Sequence, residues 1–429
     1  MFKRKWSGLP LDPVFPNDLK GLGYFINKDD EIRSIANEDN YFHYFIDRNE
    51  RVCNRQRFCF NQAVQEEIHN RLERLGLKKV FLPFGATEPT QPKVPIFISP
   101  DAASKSRIVV IFGENHQDLG VLAHRVIGGR GGINKGSLVN TVTTILKQKS
   151  SATDATAPGI IVANMGELLW WPKGKRTLSW HAFDWTPMPS GAHEGNLVVP
   201  KIHHVPGNEN ADAHVKYIFE KVFPALVNHT ARIDIIGIGS GADIVQEYLN
   251  SDWVWKRIGH RINCLAIVGG ALARSDIKCH AFRQFVRDRT RAYVISTEPL
   301  GLVLSGPDGN HQTTAFTDHG CPVFSAGEYR YIETLFVACY PEVLRWLEEV
   351  ALAPAPYKNP DFEVFYADPP KESQYWGEGE PEEEEKEVVK NDKDEENEEE
   401  KAAKQKENDR NKHVVRVDSL SDSEDDLQY

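Results

Sequence analysis

The chain has 429 residues, 40% hydrophobic and 26% charged, with a formal net charge of −11. Residues 371–429 hold 22 Asp/Glu against 10 Lys/Arg, which leaves residues 1–370 at about +1. A near-neutral body excludes gripping nucleic acid by bulk positive charge, and no run approaches the ~18 apolar residues of a membrane span.

The N-terminus carries Lys3-Arg4-Lys5 without an apolar stretch, so no secretory signal is expected. The three basic residues could assist nuclear import, although such triplets are common. Leu22 to Ile26 and Glu31 to Arg33, around a polar turn, predict a hairpin. Val64, Ile68, Leu72 and Leu75 predict a helix over 61–76, and Lys79 to Pro83 a short strand. An alternation follows. Buried strands are predicted at 107–113, 159–164, 232–237, 264–270, 291–296 and 322–327. Helices are predicted at 119–127, 137–149, 211–228, 242–249, 277–289 and 332–352. Continuous Val/Ile runs with crossover helices between them predict a doubly wound, mostly parallel α/β sheet. Cys53, Cys59, Cys264, Cys279, Cys321 and Cys339 show no C-x-x-C spacing, so a reduced, metal-free intracellular protein is expected.

Pro354, Pro356, Pro360, Pro369 and Pro370 mark a linker over 353–373 after an α/β domain at 1–352. Residues 374–429 are rich in Glu, Lys, Asp and Asn. They carry too little apolar area to offset ordering entropy, so disorder is expected.

The sharpest local feature is Ile236-Gly237-Ile238-Gly239-Ser240-Gly241-Ala242, where a buried strand runs into small residues and then a helix. A dinucleotide fingerprint fits the glycines but lacks the acid that should end the next strand, at Gly269-Gly270. The other reading is the nucleophile elbow of an α/β-hydrolase. Aligning the glycines puts Gly239 at the nucleophile position. Ser240 reaches it only in a register that places bulky Ile238 in the strained turn.

At this point the sequence resembles the argonaute-binding-protein-two domain family over most of residues 12–350. The resemblance is carried by Phe15-Pro16, Leu22-Gly23-Tyr24, Val109 to Gly113, His214 to Phe219, the glycine elbow, Ser296 to Leu300 and Val323 to Gly327. It implies an α/β-hydrolase-like fold. It also implies kinship with a subunit of the fungal argonaute–siRNA chaperone, domains of fungal class II histone deacetylases and a metazoan cotranscriptional regulator. Metazoan relatives look as if they carry Ser, Asp and His at the places held here by Gly239, Gly270 and Tyr331.

Acyl transfer needs a nucleophile, a base and an orienting acid. Glycine cannot attack a carbonyl, and a tyrosine of pKa ~10 is a poor base near neutrality. The triad positions read as vacated. The alternative is a serine hydrolase with a displaced triad that uses Ser240, with Glu298 as an acid and His311 or His319 as a base. His181-x-x-Asp184 and His203-His204 lack a completing metal ligand and are expected to be loop histidines. His214 is expected to be buried and hydrogen-bonded. Gly128 to Gly132 lacks the ending of a phosphate loop. Trp170, Trp171, Trp180 and Trp185 fall in a long aperiodic segment. It suits an interface or a loop tucked over the core.

In the tail, Val414, Val415 and Val417 precede Asp418 and further acids. The run resembles a SUMO-interacting motif that adds a strand to a partner's sheet edge. Ser419, Ser421 and Ser423 each have an acid three residues on and are candidate phosphorylation sites. The expected function is a non-catalytic scaffold of a nuclear gene-silencing complex, with cytoplasm as a second compartment. Its expected partners are an argonaute or histone-deacetylase assembly, by resemblance, and SUMO conjugates. No cofactor, direct DNA contact or membrane is expected.

Overall fold

The computed structural model describes residues 8–364 except 194 and 314. The chain divides into Met1–Tyr366 and Ala367–Tyr429. The second unit lies outside the described residues. With it go the expected tail, the Val414–Asp418 motif and Ser419, Ser421 and Ser423; Lys3-Arg4-Lys5 lies outside as well.

Strands β1 (Tyr24–Ile26) and β2 (Ile32–Ser34) pair antiparallel as the expected N-terminal hairpin. The others are β3 (Lys78–Leu82), β4 (Val94–Ile98), β5 (Arg107–Phe112), β6 (Gly159–Val162), β7 (Leu169–Trp171), β8 (Arg176–Leu178), β9 (Arg232–Ile238), β10 (Ile262–Val268), β11 (Thr290–Val294), β12 (Val303–Ser305) and β13 (Val323–Ser325). Nine of them form one sheet in the order β12-β13-β11-β10-β9-β5-β6-β4-β3. The pairs from β6 through β5, β9, β10 and β11 to β13 are parallel. β3, β4 and β12 join antiparallel at the two edges. From β3 to β13 this is the strand order of the α/β-hydrolase sheet with its second strand reversed, and it puts the glycine elbow directly after the central strand β9.

The pleat sorts the core. On β5, Val109 and Ile111 face one layer, with Ile68, Val142 and Trp346; Val110 and Phe112 face the other, with Val215, Phe219 and Val245. The first layer is built by the helices Glu50–Arg74, Leu138–Ile145 and Leu335–Leu352. The second is built by Ala211–Tyr217, Ser240–Leu249 and His280–Arg289. At one end of the sheet lies a buried ion pair. Arg107 Nε donates to Asp234 Oδ2 at 2.6 Å, and Asn263 Nδ2 donates to Asp234 Oδ1 at 2.9 Å.

Several boundaries differ from the sequence reading. The first helix starts at Glu50, capped by Asn49, rather than at 61. The stretch 119–127 is helical only at His124–Ile127, because Gly120 takes φ +87 and Val121 bridges to Ser137. The helix over 211–228 carries a π-turn at Ile218–Val222, just before Pro224, which cannot donate an N–H. β4 was not expected, because Pro95 inside the run masks it; it pairs beside β3 near the edge.

Past Leu352 the chain stays on the body. Trp346 Nε1 donates to Tyr357 Oη at 3.2 Å, and Asn359 Nδ2 donates to the carbonyl of Thr290 at 2.9 Å. The Arg291 guanidinium sits 5.1 Å from the ring centroids of Phe324, Trp346 and Phe362. All six cysteines are buried and free. No helix among the described residues is long and apolar enough to cross a membrane.

Candidate functional site at the glycine elbow

β9 ends in a sharp turn at Gly239, with φ 52° and ψ −126°, and the helix Ser240–Leu249 starts at once. An L-residue is strained there, which is the backbone a nucleophile elbow requires. The space a side chain would fill is taken. A Cβ on Gly239 would lie 1.4 Å from Glu114 Oε1. Glu114 comes from the loop after β5, the loop that gives an α/β-hydrolase one of its oxyanion N–H groups.

The Glu114 carboxylate also takes one donor of that hole, and Ser240 Oγ takes another. Ser240 N donates to Glu114 Oε2 at 3.2 Å, and Ser240 Oγ donates to the same oxygen at 2.8 Å. Asn115 N donates to Ser240 Oγ at 2.9 Å. The N–H groups that would bind a developing oxyanion are therefore spent within the chain. Burial, followed by the charges of Glu247 and Glu114, holds the Asp243 carboxyl above its usual range. Negative charge here opposes an oxyanion rather than stabilising it.

The acid position is closed too. A Cβ on Gly270 would lie 2.3 Å from the Gly239 carbonyl oxygen and 2.9 Å from Asp243 Oδ2. At the histidine position, Tyr331 is 40% exposed, and the Arg125 guanidinium sits 3.9 Å from its ring centroid. The displaced triad is not assembled either. His319 is buried with its ring nitrogens facing the carbonyls of Leu272 and Phe316, at 3.2 and 3.1 Å. His311 is exposed, and Glu298 is not among Ser240's hydrogen-bond partners.

The sequence matches the Arb2 domain over residues 15–300. The chain belongs to the Arb2 domain family. No curated protein matches it significantly. Two solved structures are similar in part. One, a protein assigned as a lipase from Acinetobacter baumannii AYE, is 15% identical, with TM-score 0.23; the match covers 49% of this chain and 47% of that one. The other, an esterase from Pyrobaculum calidifontis, is 9% identical, with TM-score 0.24; the match covers 60% of this chain and 76% of that one. The chain thus spans about half the length of the first.

In this Arb2 domain the loop after β5 borders a cavity of about 430 Å3, lined by Phe58, His116, Asp118, Trp180 and Trp185. The tryptophan segment divides. Trp170 is buried in the core and Trp171 meets Phe58 edge-on, whereas Trp180 and Trp185 line the cavity. Asp118 accepts from Ser179 Oγ at 2.8 Å. No metal-holding group of three His, Cys, Asp or Glu occurs among the described residues. His181 lies edge-on to Trp185, Asp184 accepts from Asn196 N, and His203 Nδ1 accepts from Val199 N. Gly128 to Gly132 docks on the N-terminal hairpin instead: a Cβ on Gly132 would lie 2.2 Å from the Asp30 carbonyl oxygen.

His214 is fully buried between Asn208 Oδ1, at 2.7 Å from Nδ1, and the Asn164 N–H, at 3.1 Å from Nε2. Nδ1–H donates and Nε2 accepts, so the ring is neutral. Burial pulls its pKa down to about 3. Unfolded histidine titrates near ~6.5. The unfolded chain therefore binds the extra proton between those values, and stability is lost as pH falls below ~6.5. The expected slope from His214 is about 1.4 kcal/mol per pH unit in that window. Urea midpoints from pH 7 to pH 4.5 should fall less steeply for His214→Gln. An unchanged slope would show that His214 does not carry this term.

Proposed function

We propose that this Arb2 domain protein is a catalytically silent α/β-hydrolase-like scaffold of a nuclear gene-silencing complex, acting in RNA-mediated heterochromatin formation. The observation that supports silence is the Glu114 carboxylate in the place of a nucleophile side chain. Kinship within the family supports a partner of the argonaute–siRNA chaperone or histone-deacetylase type. The Val414–Asp418 motif supports recruitment of SUMO conjugates, strengthened by phosphorylation at Ser419, Ser421 and Ser423.

The competing reading is a serine hydrolase built on Ser240, whose hydroxyl does point at a carboxylate. It is less favoured because no histidine stands between that hydroxyl and the carboxylate: Ser240 Oγ bonds to Glu114 Oε2 directly, and neither His311 nor His319 is among its hydrogen-bond partners. The full chain is expected to show no fluorophosphonate labelling and no ester turnover above background. Labelling or turnover that disappears in Ser240→Ala would overturn the scaffold. Affinity purification is expected to enrich argonaute, deacetylase or SUMO-conjugated proteins. Recovery of metabolic enzymes without any of these would overturn the choice of partner.

A further inference from the structure

Away from the elbow, a second cavity of about 420 Å3 opens between the helix Glu50–Arg74, strands β3 and β4 and the β7–β8 hairpin. Its charge is lopsided. Lys79, Lys93, Lys175 and Arg176 line it, against the carboxylates of Glu66 and Glu167. Glu167 is already committed: it accepts from Gln65 Nε2 at 2.7 Å and from Leu119 N at 2.9 Å, and pairs with Arg176 at 3.4 Å. Lys79 leans toward Glu73 at 3.6 Å, outside the lining. Among the described residues neither Lys93 nor Lys175 pairs with a carboxylate; Lys93 Nζ donates to the Glu88 carbonyl at 3.3 Å and sits 5.0 Å from the Phe81 ring centroid.

Three further observations bear on the same pocket. Lys175 holds φ 53°, a left-handed backbone that glycine would adopt without strain, so a lysine there needs a reason. Thr177 lines the pocket at 2% exposure, and its hydroxyl oxygen is buried without a hydrogen-bond partner. His69, on the pocket wall, is pushed down to about 3, by burial first and then by the charges of Lys79 and Arg176. The cations are thus close enough to be felt, and an orphan hydroxyl waits among them.

We propose that this pocket binds a small, multiply charged phosphate compound, held by Lys93 and Lys175, with Lys79 and Arg176 completing the positive field. Flexible lysines suit phosphate as point charges, and a concave site in which cations outnumber carboxylates focuses that charge. The phosphate could be a free solute or a lipid headgroup; the chemistry is shared.

Inorganic pyrophosphate is the probe, titrated into the full chain by calorimetry at low salt. Saturable binding that weakens with added salt is expected. Lys93→Ala with Lys175→Ala should weaken it by about tenfold or more. Lys175→Gly is the sharper variant: it should weaken binding while raising the thermal midpoint, because it relieves the backbone. Lys201→Ala, outside the pocket, should change neither. Vesicles of phosphatidylcholine with a small fraction of phosphatidylinositol bisphosphate form the second arm. Binding to vesicles far above pyrophosphate would assign the headgroup, and binding to pyrophosphate alone the free solute; either supports the site. No saturable binding in either arm would overturn it, as would equal affinity in the double variant.

Discussion

Asp234→Ala is expected to lower the unfolding free energy by about 3–5 kcal/mol. Asp234 sits near the start of the central strand β9 at 0% exposure, beside an Arg107 side chain at 1%. Removing the carboxylate leaves a buried guanidinium whose other contacts, the Lys149 carbonyl and Gln148 Oε1, carry no full charge. It also strands Asn263 Nδ2. The pair itself is a weak source of net stability, since two charges must be stripped of water to form it. Arg107→Met with Asp234→Leu should therefore recover most of the loss. Urea midpoints of the wild type, the single variant and the double variant decide it. A loss below about 1 kcal/mol for Asp234→Ala would mean that water reaches the pair.

The second large effect concerns the two glycines at the elbow, Gly239 and Gly270. Gly239→Ala and Gly270→Ala should behave differently, although both add one methyl group. At Gly239 the new Cβ meets the far end of a glutamate, which can swing away at the expense of its bonds to Ser240, and the cost that remains is the strain of an L-residue at φ 52°. At Gly270 it meets the backbone oxygen of Gly239, which cannot. Gly270→Ala is expected to cost about 3 kcal/mol, at the upper end of overpacking. Glu114→Ala should soften the Gly239→Ala loss by about 1 kcal/mol and leave the Gly270→Ala loss untouched. Installing Gly239→Ser, Gly270→Asp and Tyr331→His together should then give a destabilised protein without esterase activity. A Gly270→Ala loss below about 1 kcal/mol would show that the elbow can open to admit a side chain.

The sheet was legible because its strands are Val/Ile runs buried on both faces, as in β5, β9 and β10. β4 was hidden by Pro95, which a pairing near the sheet edge tolerates. The elbow was legible from its glycines, and His214 from its place on an apolar helix face. Glu114 was not. An acid in a loop after a strand reads as solvated, and nothing local tells that the fold aims it at Gly239. Asking which residue follows the strand that supplies the oxyanion loop would have found it. The cationic pocket was equally hidden. Its four cations come from three separated stretches, around positions 79, 93 and 175, and no window of sequence holds more than two of them.

The clasp formed by Tyr357, Asn359 and Phe362 has a mechanical meaning. Pull arriving along the chain from beyond Val364 meets this clasp first. Arg291 lies among three aromatic rings at its centre, and Asn359 bonds to the chain where β11 begins. These contacts would have to peel one by one before the load reached the central strands that shape the elbow. A pull on the chain from beyond Val364 would therefore be taken up at the clasp before it deformed the glycine turn.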